Sequence, residues 1–255
     1  MKVVILAGGY GTRLSEETII KPKPMVEIGN KPILWHIMKI YSYFGFNEFI
    51  IACGYKCEFI KKYFLDYDYL NNDFCIDLSN GNIEIYNSSN ENWKVHIIDT
   101  GLNTQTGGRI KKLEKYLFNQ RFMVTYGDGL ANINVNELIK FHNKNKKIAT
   151  ITAVRPPSRF GGLNFKGNLI EEFIEKPQIT KGWINGGFMV FESRIFKYIN
   201  SYDDILEVDV MEKLAKDKEL VGYKHKGFWQ PMDTIREKNI LEDLWKNNKA
   251  YWKVW

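Results

Sequence analysis

The residues best suited to chemistry lie in a glycine-rich loop near the N-terminus. Residues 3–14 read V-V-I-L-A-G-G-Y-G-T-R-L, and K-P-K-P-M-V-E follows at 21–27. Because glycine has no Cβ, these positions can adopt positive φ and bring the backbone close to a ligand. Thr12 adds a hydroxyl donor, and Arg13 and Lys23 add positive charges that suit phosphate oxygens. The pattern therefore predicts a binding site for a nucleoside triphosphate.

Two better-known glycine loops are excluded by single positions. A dinucleotide-binding loop requires G-x-G-x-x-G, and here Leu14 stands where the third glycine belongs. A P-loop requires G-K-[ST], whereas this chain has G-T-R at 11–13. The plainer alternative is a turn between a strand and a helix, in which glycines are common. The cations that follow, Arg13, Lys21 and Lys23, count against a turn without function.

The loop and the segment after it resemble the signature of the sugar-phosphate nucleotidyltransferases. Further motifs narrow the likeness: K-P-I-L-W-H-I-M (31–38), D-T-G (99–101), T-G-G-R-I-K-K (106–112), T-Y-G-D-G (125–129), R-F-G-G-L (159–163), E-K-P (175–177), I-N-G-G-F (184–188) and G-F-W-Q-P-M-D-T (227–234). In this order they are similar to the glucose-1-phosphate cytidylyltransferases. The resemblance implies that CTP and α-D-glucose 1-phosphate are converted to CDP-glucose and pyrophosphate with Mg²⁺. It also implies a role in supplying dideoxysugars for bacterial surface polysaccharide.

The resemblance implies four catalytic residues. In such a transfer a phosphate oxygen of the acceptor attacks the α-phosphorus in line, and it is already ionised near neutral pH, so no general base is needed. Positioning, charge neutralisation and metal placement remain for the protein. Asp128 and Asp233 match the family's metal ligands, while Arg13 and Lys23 would neutralise phosphate charge. Taken alone, the first aspartate could be a turn residue and the second the N-cap of a helix over 234–245.

The same resemblance implies two sets of binding residues. The nucleotide set is Leu6, Ala7, Gly8, Gly9, Gly11, Thr12, Arg13, Lys23, Thr106, Gly107, Gly108 and Arg109. In T-G-G-R, backbone N–H groups and the Arg109 guanidinium are expected to face the nucleotide, with a helix start and a surface arginine as the alternative. The acceptor set is Tyr126, Gly127, Gly162, Glu175, Lys176, Asn185 and Gly186. The segment 205–211 departs from the family pattern, with Val210 where a proline is expected, which leaves the acceptor open.

These residues need a scaffold that brings their segments together. Apolar runs alternate with helical patterns, which predicts an α/β fold with a Rossmann-like, mostly parallel mixed sheet, flanking helices and a small β-rich acceptor subdomain. The predicted strands are 3–6, 49–52, 95–98, 122–126, 149–154, 163–165, 169–173 and 187–191. A first helix is predicted to begin near residue 32, and further helices are predicted over 58–64, 108–117, 136–145 and 234–245. We expect a peripheral hairpin over 71–92 and a lid at 14–20. We expect a single domain, in which residues 1–155 mainly bind the nucleotide and residues 156–255 mainly bind the acceptor.

Composition restricts the function classes. Of 255 residues 44% are hydrophobic, enough for a globular core, and no apolar run reaches the length of about 18 residues that predicts a membrane span. The net charge of +6 is scattered, without the basic stripe and stacking aromatics of nucleic-acid-binding proteins. Cys53, Cys57 and Cys75 predict free thiols. We therefore expect a cytoplasmic protein without nucleic-acid or membrane partners, and the family implies a homo-oligomer.

Two alternatives stay open from the sequence. The same chemistry could act on a different phosphorylated acceptor or with a different nucleotide. A catalytically silent subunit that only senses nucleotide is the alternative of another class. The presence of Arg13, Lys23, Asp128, Lys176 and Asp233 favours the enzyme, because a sensor need not keep both aspartates.

Overall fold

The computed structural model of the chain describes residues 1–86, 91–156, 162–166, 169–174 and 182–255, with only the backbone path in 162–166 and 170–174. The strands are β1 Val3–Ala7, β2 Glu27–Ile28, β3 Lys31–Pro32, β4 Glu48–Cys53, β5 Phe74–Asp77, β6 Asn82–Ile85, β7 Lys94–Asp99, β8 Phe122–Tyr126, β9 Gly129–Ala131, β10 Ala149–Val154, β11 Gly162–Lys166, β12 Leu169–Ile174, β13 Ile184–Asn185, β14 Met189–Phe191, β15 Leu220–Lys224 and β16 Trp229–Pro231. The helices are α1 Ser15–Thr18, α2 Ile33–Tyr43, α3 Cys57–Leu65, α4 Tyr67–Asn71, α5 Thr106–Lys112, α6 Glu114–Leu117, α7 Val135–Asn145, α8 Met211–Lys216 and α9 Ile235–Lys246. A π-helical turn covers Leu206–Val210.

A mixed, mostly parallel sheet organises the described part of the chain. Its order is β13-β10-β14-β8-β1-β4-β7, and β15 also pairs with β10. The strands from β8 through β1 and β4 to β7 are parallel, whereas β14 is antiparallel to both β8 and β10. The predicted fold class is therefore confirmed.

The central strand β1 is buried on both faces, as its apolar run predicts. Val3 and Ile5 belong to the core under α2 and α9, whereas Val4 and Leu6 belong to the core under α5 and α8. This alternation follows from the two-residue period of a strand. Because β1 is hydrogen-bonded to both β4 and β8, the sheet fixes the position at which the glycine loop begins.

The carboxyl ends of β1 and β8 lie side by side. In their parallel register Leu6 is opposite Tyr126, so the glycine loop after β1 and the Gly127-Asp128 turn after β8 leave the same edge of the sheet. Open α/β sheets bind ligands at this edge. The fold thereby brings together two of the segments that the sequence singles out.

Three predicted elements differ in detail. The helix expected over 108–117 begins at Thr106 and divides into α5 and α6 at Leu113, where the backbone turns to φ −91° and ψ 0°. The strand expected from Gly187 begins at Met189, because Gly187 has a φ of +74°. The hairpin expected over 71–92 is present as the antiparallel pair β5 and β6. The lid expected at 14–20 includes the helix α1, and its closure stays a prediction.

A group of tryptophans from the C-terminal part packs around His36 of α2. The ring centroid of Trp245 is 4.9 Å from that of His36, and the fully buried Trp252 is 6.0 Å away. His36 Nε2–H donates to the Ile28 carbonyl at 2.8 Å, and Nδ1 accepts from Trp252 Nε1–H at 3.3 Å. Only the neutral imidazole satisfies both contacts, because a proton on Nδ1 would face the tryptophan N–H.

This environment predicts a loss of stability in acid. Burial lowers the pKa of His36 to about 4. The unfolded chain takes up a proton below about pH 6.5, so the stability from neutral His36 is complete above that pH and is lost as the pH falls towards 4. We expect about 2 kcal/mol less unfolding free energy from this residue at about pH 5 than at about pH 7.5. Urea unfolding at both pH values should show a smaller pH-dependent loss in His36→Gln; His96→Gln, at a partly exposed histidine, is the control, and equal losses in all three proteins would contradict the prediction.

Candidate active site

A cavity of about 510 Å³ opens at the carboxyl ends of β1 and β8. The predicted residues that line it are Leu6, Ala7, Gly8, Gly9, Gly11, Thr12, Arg13, Lys23, Thr106, Arg109, Tyr126, Gly127 and Asp128. Other lining residues, which the sequence did not single out, are Tyr10, Pro24, Leu102, Asn103, Thr104 and Gln105. The segment 102–105 follows β7, which is parallel to β4. Since open α/β sheets bind ligands at the carboxyl ends of their strands, the position of this segment after the predicted strand 95–98 could have identified it. Most of the predicted nucleotide set therefore surrounds one space.

The glycine loop is shaped by a left-handed residue. Gly11 has a φ of +66°, and a Cβ there would lie 2.7 Å from Thr18 Cγ2. The Gly11 carbonyl accepts from Leu14 N at 2.9 Å and from the Thr18 hydroxyl at 3.0 Å. Tyr10 OH donates to Asn103 Oδ1 at 2.7 Å, and both residues line the cavity. The loops after β1 and β7 are thus in contact at the cavity.

Lys23 joins the two predicted aspartates. Its ammonium Nζ is 2.7 Å from Asp128 Oδ2 and 2.5 Å from Asp233 Oδ1. Arg13 adds a second cation, with Nη1 2.8 Å from Asp233 Oδ2. Lys23 is 8% exposed, so its ion pairs are shielded from water, whereas the Arg13 side chain is largely exposed. The four residues predicted as catalytic therefore form one cluster.

Charge dominates the environment of the Lys23 ammonium. Burial by itself lowers the pKa of Lys23, but the hydrogen bonds and charges of Asp128 and Asp233 outweigh it, and the pKa is raised above its usual value. Lys23 therefore stays protonated at physiological pH. A permanently charged ammonium beside two carboxylates suits the neutralisation of phosphate oxygens.

A short strand pair brings Asp128 and Asp233 together. The strand β9, which follows Asp128, pairs antiparallel with β16, which precedes Asp233. Met232 N–H also donates to the Asp128 carbonyl at 2.8 Å. The N-cap interpretation of Asp233 is wrong, because Thr234 caps α9 in a capping box with Glu237. The Asp233 carboxylate thereby remains available to Lys23 and Arg13.

Arg109 is buried, and its guanidinium is held by groups of the chain itself. Its acceptors are Cys53 O (3.0 Å), Thr100 Oγ1 (2.6 Å), Gly101 O (2.8 Å), Gly8 O (2.9 Å) and Leu102 O (3.2 Å). The surface-arginine alternative is therefore wrong. The guanidinium ties the ends of β1, β4 and β7 together under the cavity, and its contact with a nucleotide stays a prediction.

The glycine pair in T-G-G-R packs closely against the backbone of residues 202 and 204. A Cβ at Gly108 would lie 1.8 Å from the Tyr202 carbonyl oxygen, and one at Gly107 would lie 2.7 Å from the Asp204 carbonyl oxygen. The Gly108 N–H, expected to face the nucleotide, donates instead to the Asp204 carbonyl at 3.1 Å. The pair permits close backbone packing against residues 202–206, and neither glycine lines the cavity.

Arg109→Lys tests the structural part of this arrangement. One ammonium cannot reproduce the planar guanidinium fork, so buried carbonyls would lose donors. We expect the unfolding free energy to fall by about 2–4 kcal/mol. Denaturant unfolding measures it, with Arg236→Lys at an exposed position of α9 as the matched control. Equal stability of the two variants would contradict the buried role.

The predicted acceptor residues are only partly described. Asn185 Nδ2–H donates to Tyr126 OH at 3.0 Å, and Asn185 Oδ1 accepts from Gly187 N at 3.0 Å. Gly186 is not among the residues that line the cavity, and a Cβ there would be 2.6 Å from Val154 Cγ1. Gly162 begins β11, opposite Ile174. Glu175 and Lys176 lie outside the described residues.

The donor set fits a divalent cation bound together with phosphates. Mg²⁺ is usually held by one or two carboxylates, with phosphate oxygens and water completing its shell. Asp128 and Asp233 already converge on one cation, the Lys23 ammonium. Within the described ranges no group of three or more His, Cys, Asp or Glu side chains is arranged to hold a metal, so water or phosphate oxygens would complete the shell of an ion bound by the two aspartates.

The chain can also be compared with known proteins. The family model described as nucleotidyl transferase matches residues 2–252. The glucose-1-phosphate cytidylyltransferase of Salmonella typhimurium is 47% identical over 256 residues, and the probable glucose-1-phosphate cytidylyltransferase of Bacillus subtilis is 45% identical over 258; each alignment covers 100% of both chains. A mannose-1-phosphate guanyltransferase of Hypocrea jecorina is 29% identical and covers 94% of this chain and 62% of its own.

Solved structures show the same fold. The UDP-glucose pyrophosphorylase of Acinetobacter baumanii has a TM-score of 0.71 at 17% identity and covers 98% of this chain and 95% of its own. HddC from Yersinia pseudotuberculosis has a TM-score of 0.70 at 23% identity, with 96% and 99% covered. The full-length likeness at the higher identities decides the family. The chain belongs to the nucleotidyl transferase family and, within it, to the glucose-1-phosphate cytidylyltransferases.

Proposed function

We propose that the protein transfers CMP from CTP to α-D-glucose 1-phosphate, giving CDP-glucose and pyrophosphate. The observation that carries the proposal is the cluster in which Lys23 meets Asp128 and Asp233 beside the glycine loop, in a chain alike from end to end to cytidylyltransferases. Such a cluster suits anionic substrates whose charge must be neutralised during transfer.

In the proposed reaction an oxygen of the sugar phosphate attacks the α-phosphorus of CTP. A bond forms between that oxygen and the α-phosphorus, the bond from the α-phosphorus to the bridging oxygen breaks, and pyrophosphate leaves with the electron pair. The attacking oxygen is already ionised, so the chain need not remove a proton. Arg13 and Lys23 would hold the triphosphate and stabilise the charge that grows on the leaving group. The loop residues 8–12 would position the phosphates with backbone N–H groups.

Enzymes of this family generally use a divalent metal ion. We propose that the ion here is Mg²⁺ and that Asp128 and Asp233 hold it. When bound, it would neutralise phosphate oxygens and favour attack at the α-phosphorus. The two carboxylates would then be shared between the ion and Lys23, which holds both of them in this structure.

We propose that the acceptor binds on the side of the cluster of Lys23, Asp128 and Asp233 that faces away from the nucleotide. Resemblance supports Tyr126, Gly127, Gly162, Glu175, Lys176, Asn185 and Gly186 as its binding residues, with Lys176 on the sugar phosphate. Tyr126 and Gly127 line the cavity next to Asp128, which supports their part of this assignment. The division into a nucleotide part over 1–155 and an acceptor part over 156–255 belongs to the same proposal.

We also propose that the protein acts in the cytoplasm as a homo-oligomer. Cys53, Cys57 and Cys75 are free, which suits a reducing compartment. Within the described ranges, no helix has both the length and the apolar character needed to cross a membrane. The oligomer is supported by the family resemblance alone, and light scattering of the purified protein would test it.

Product analysis across substrate pairs tests the proposed activity. Pyrophosphate release and the nucleotide sugar formed would be measured with Mg²⁺ for each of the common nucleoside triphosphates and several sugar phosphates. We expect one strong signal, for CTP with glucose 1-phosphate. A strong signal with CTP and another acceptor would keep the chemistry but change the substrate, and no signal with any pair would favour a nucleotide-sensing subunit.

A further inference from the structure

The π-helical turn Leu206–Val210 places a carboxylate against two residues that line the cavity. Glu207 Oε1 accepts the hydroxyl hydrogen of Tyr126, and Oε2 accepts that of Thr106 at 2.8 Å. Both hydroxyl residues line the cavity, Thr106 on the predicted nucleotide side and Tyr126 on the predicted acceptor side. Glu207 therefore links the two halves of the site.

On the acceptor side, the hydrogen bonds that link Asn185, Tyr126 and Glu207 have only one possible direction. Gly187 N–H can only donate, so the oxygen of the Asn185 amide faces it at 3.0 Å and the amide nitrogen faces Tyr126. That nitrogen donates to the Tyr126 oxygen at 3.0 Å, which leaves the phenolic hydrogen for Glu207.

The direction on the nucleotide side is fixed in the same way. The backbone N–H of Leu206 donates to the Thr106 oxygen at 2.9 Å, so the Thr106 hydrogen is directed to Glu207. The backbone before the turn is held by the glycine pair of α5, through Gly108 N–H on the Asp204 carbonyl. The backbone that carries Glu207 is thus hydrogen-bonded to α5, the helix that contains Thr106. A π-helical turn of this kind often marks a functional position.

We propose that Glu207 is a positioning residue for the acceptor side of this active site. Accepting the hydrogens of Tyr126 and Thr106, it fixes the phenol and, through the phenol, the Asn185 amide that would meet the sugar. The inference rests on the proposed function and adds a residue to it. Because Thr106 is also held by Leu206 N, loss of the carboxylate should disturb the acceptor side more than the nucleotide side.

Glu207→Gln is the sharpest variant because it keeps the shape of the side chain. An ionised carboxylate accepts two hydroxyl hydrogens, whereas an amide has one oxygen and one NH₂ group, which only donates. Either Tyr126 or Thr106 would then face a donor with its own donor. We expect the KM for glucose 1-phosphate to rise about tenfold, as for the loss of one charged hydrogen bond, and the KM for CTP to change less than about threefold.

Tyr126→Phe and the double variant provide the second measurement. Tyr126→Phe removes the same hydrogen bond, so it should raise the same KM, and adding Glu207→Gln to it should cost less than about twofold more because the two residues act as one unit. Tyr126→Phe also keeps the proposal testable if Glu207→Gln fails to fold. Asp209→Asn is the matched control: the Asp209 carboxylate lies on the same turn but, among the described residues, accepts only from Ile205 N, at 2.7 Å.

The outcomes separate the two proposals. A selective rise in the sugar-phosphate KM for Glu207→Gln and Tyr126→Phe, with Asp209→Asn near wild type, supports the positioning role. An active wild type whose Glu207→Gln variant keeps both KM values, or raises them equally, overturns that role alone. Additive losses in the double variant also overturn it. A wild type that forms no nucleotide sugar overturns the proposed function, and the role of Glu207 with it.

Discussion

Asp233→Asn is expected to lower kcat by about 10²–10³ while the protein remains folded. Asp233 is the point at which Lys23 and Arg13 meet, at 2.5 and 2.8 Å, and it is also one of the two proposed metal ligands. An amide keeps the shape but carries no charge and offers one acceptor oxygen instead of two. The variant should therefore hold the two cations less firmly and bind the metal more weakly.

The experiment is pyrophosphate release at saturating CTP and glucose 1-phosphate, together with thermal unfolding. Asp243→Asn, at an exposed position of α9, is the matched control and should keep full turnover. The fold should survive in Asp233→Asn because the capping box of Thr234 and Glu237 holds the start of α9 without the Asp233 side chain. Turnover of Asp233→Asn within about threefold of wild type would contradict the two-aspartate site.

Lys23→Met is expected to be at least as damaging, with kcat lowered by about 10² or more. Lys23 is the buried cation between Asp128 and Asp233, and methionine keeps much of its apolar stem without the charge. The variant should also bind Mn²⁺, used as a probe for Mg²⁺, more tightly than wild type when no nucleotide is present. The reason is that two neighbouring carboxylates would have lost the ammonium that competes with the metal.

Electron paramagnetic resonance of free Mn²⁺ measures this second effect independently of turnover. Lys21→Met is the control, because the Lys21 ammonium pairs with Glu27 Oε1, at 3.0 Å, and not with either of the two aspartates. It should keep the wild-type affinity for Mn²⁺. If Lys23→Met binds Mn²⁺ no more tightly than Lys21→Met, the carboxylates that hold Lys23 are not the metal ligands.

Local patterns predicted the scaffold of the site well. The apolar run of β1 followed by glycines identified both the buried strand and the loop after it, because burial and turn geometry leave direct marks in the residue types. The mostly parallel sheet followed from the alternation of strands and helices. These inferences needed only short-range information. The pairing of β1 with β8, which brings the glycine loop and Asp128 to one edge of the sheet, is known only from the structure.

Contacts between distant segments could not be predicted in this way. Lys23 and Asp233 are 210 positions apart, and resemblance rather than pattern brought them into one site. Arg109 shows a different limit: a guanidinium suits phosphate oxygens and backbone carbonyls equally, so the residue type does not reveal which it meets. Gly108 had a similar ambiguity, since close approach to a ligand and to Tyr202 require the same missing Cβ.

Transfer of labelled phosphorus tests the central claim most directly. CTP labelled with ³²P at the α- or the γ-position would be incubated with glucose 1-phosphate, Mg²⁺ and the wild-type protein. Nucleotidyl transfer predicts that the α-label appears in CDP-glucose and the γ-label in pyrophosphate. The γ-label in a phosphorylated sugar, or the α-label in free CMP without CDP-glucose, would contradict the reaction proposed for the cluster of Lys23, Asp128 and Asp233.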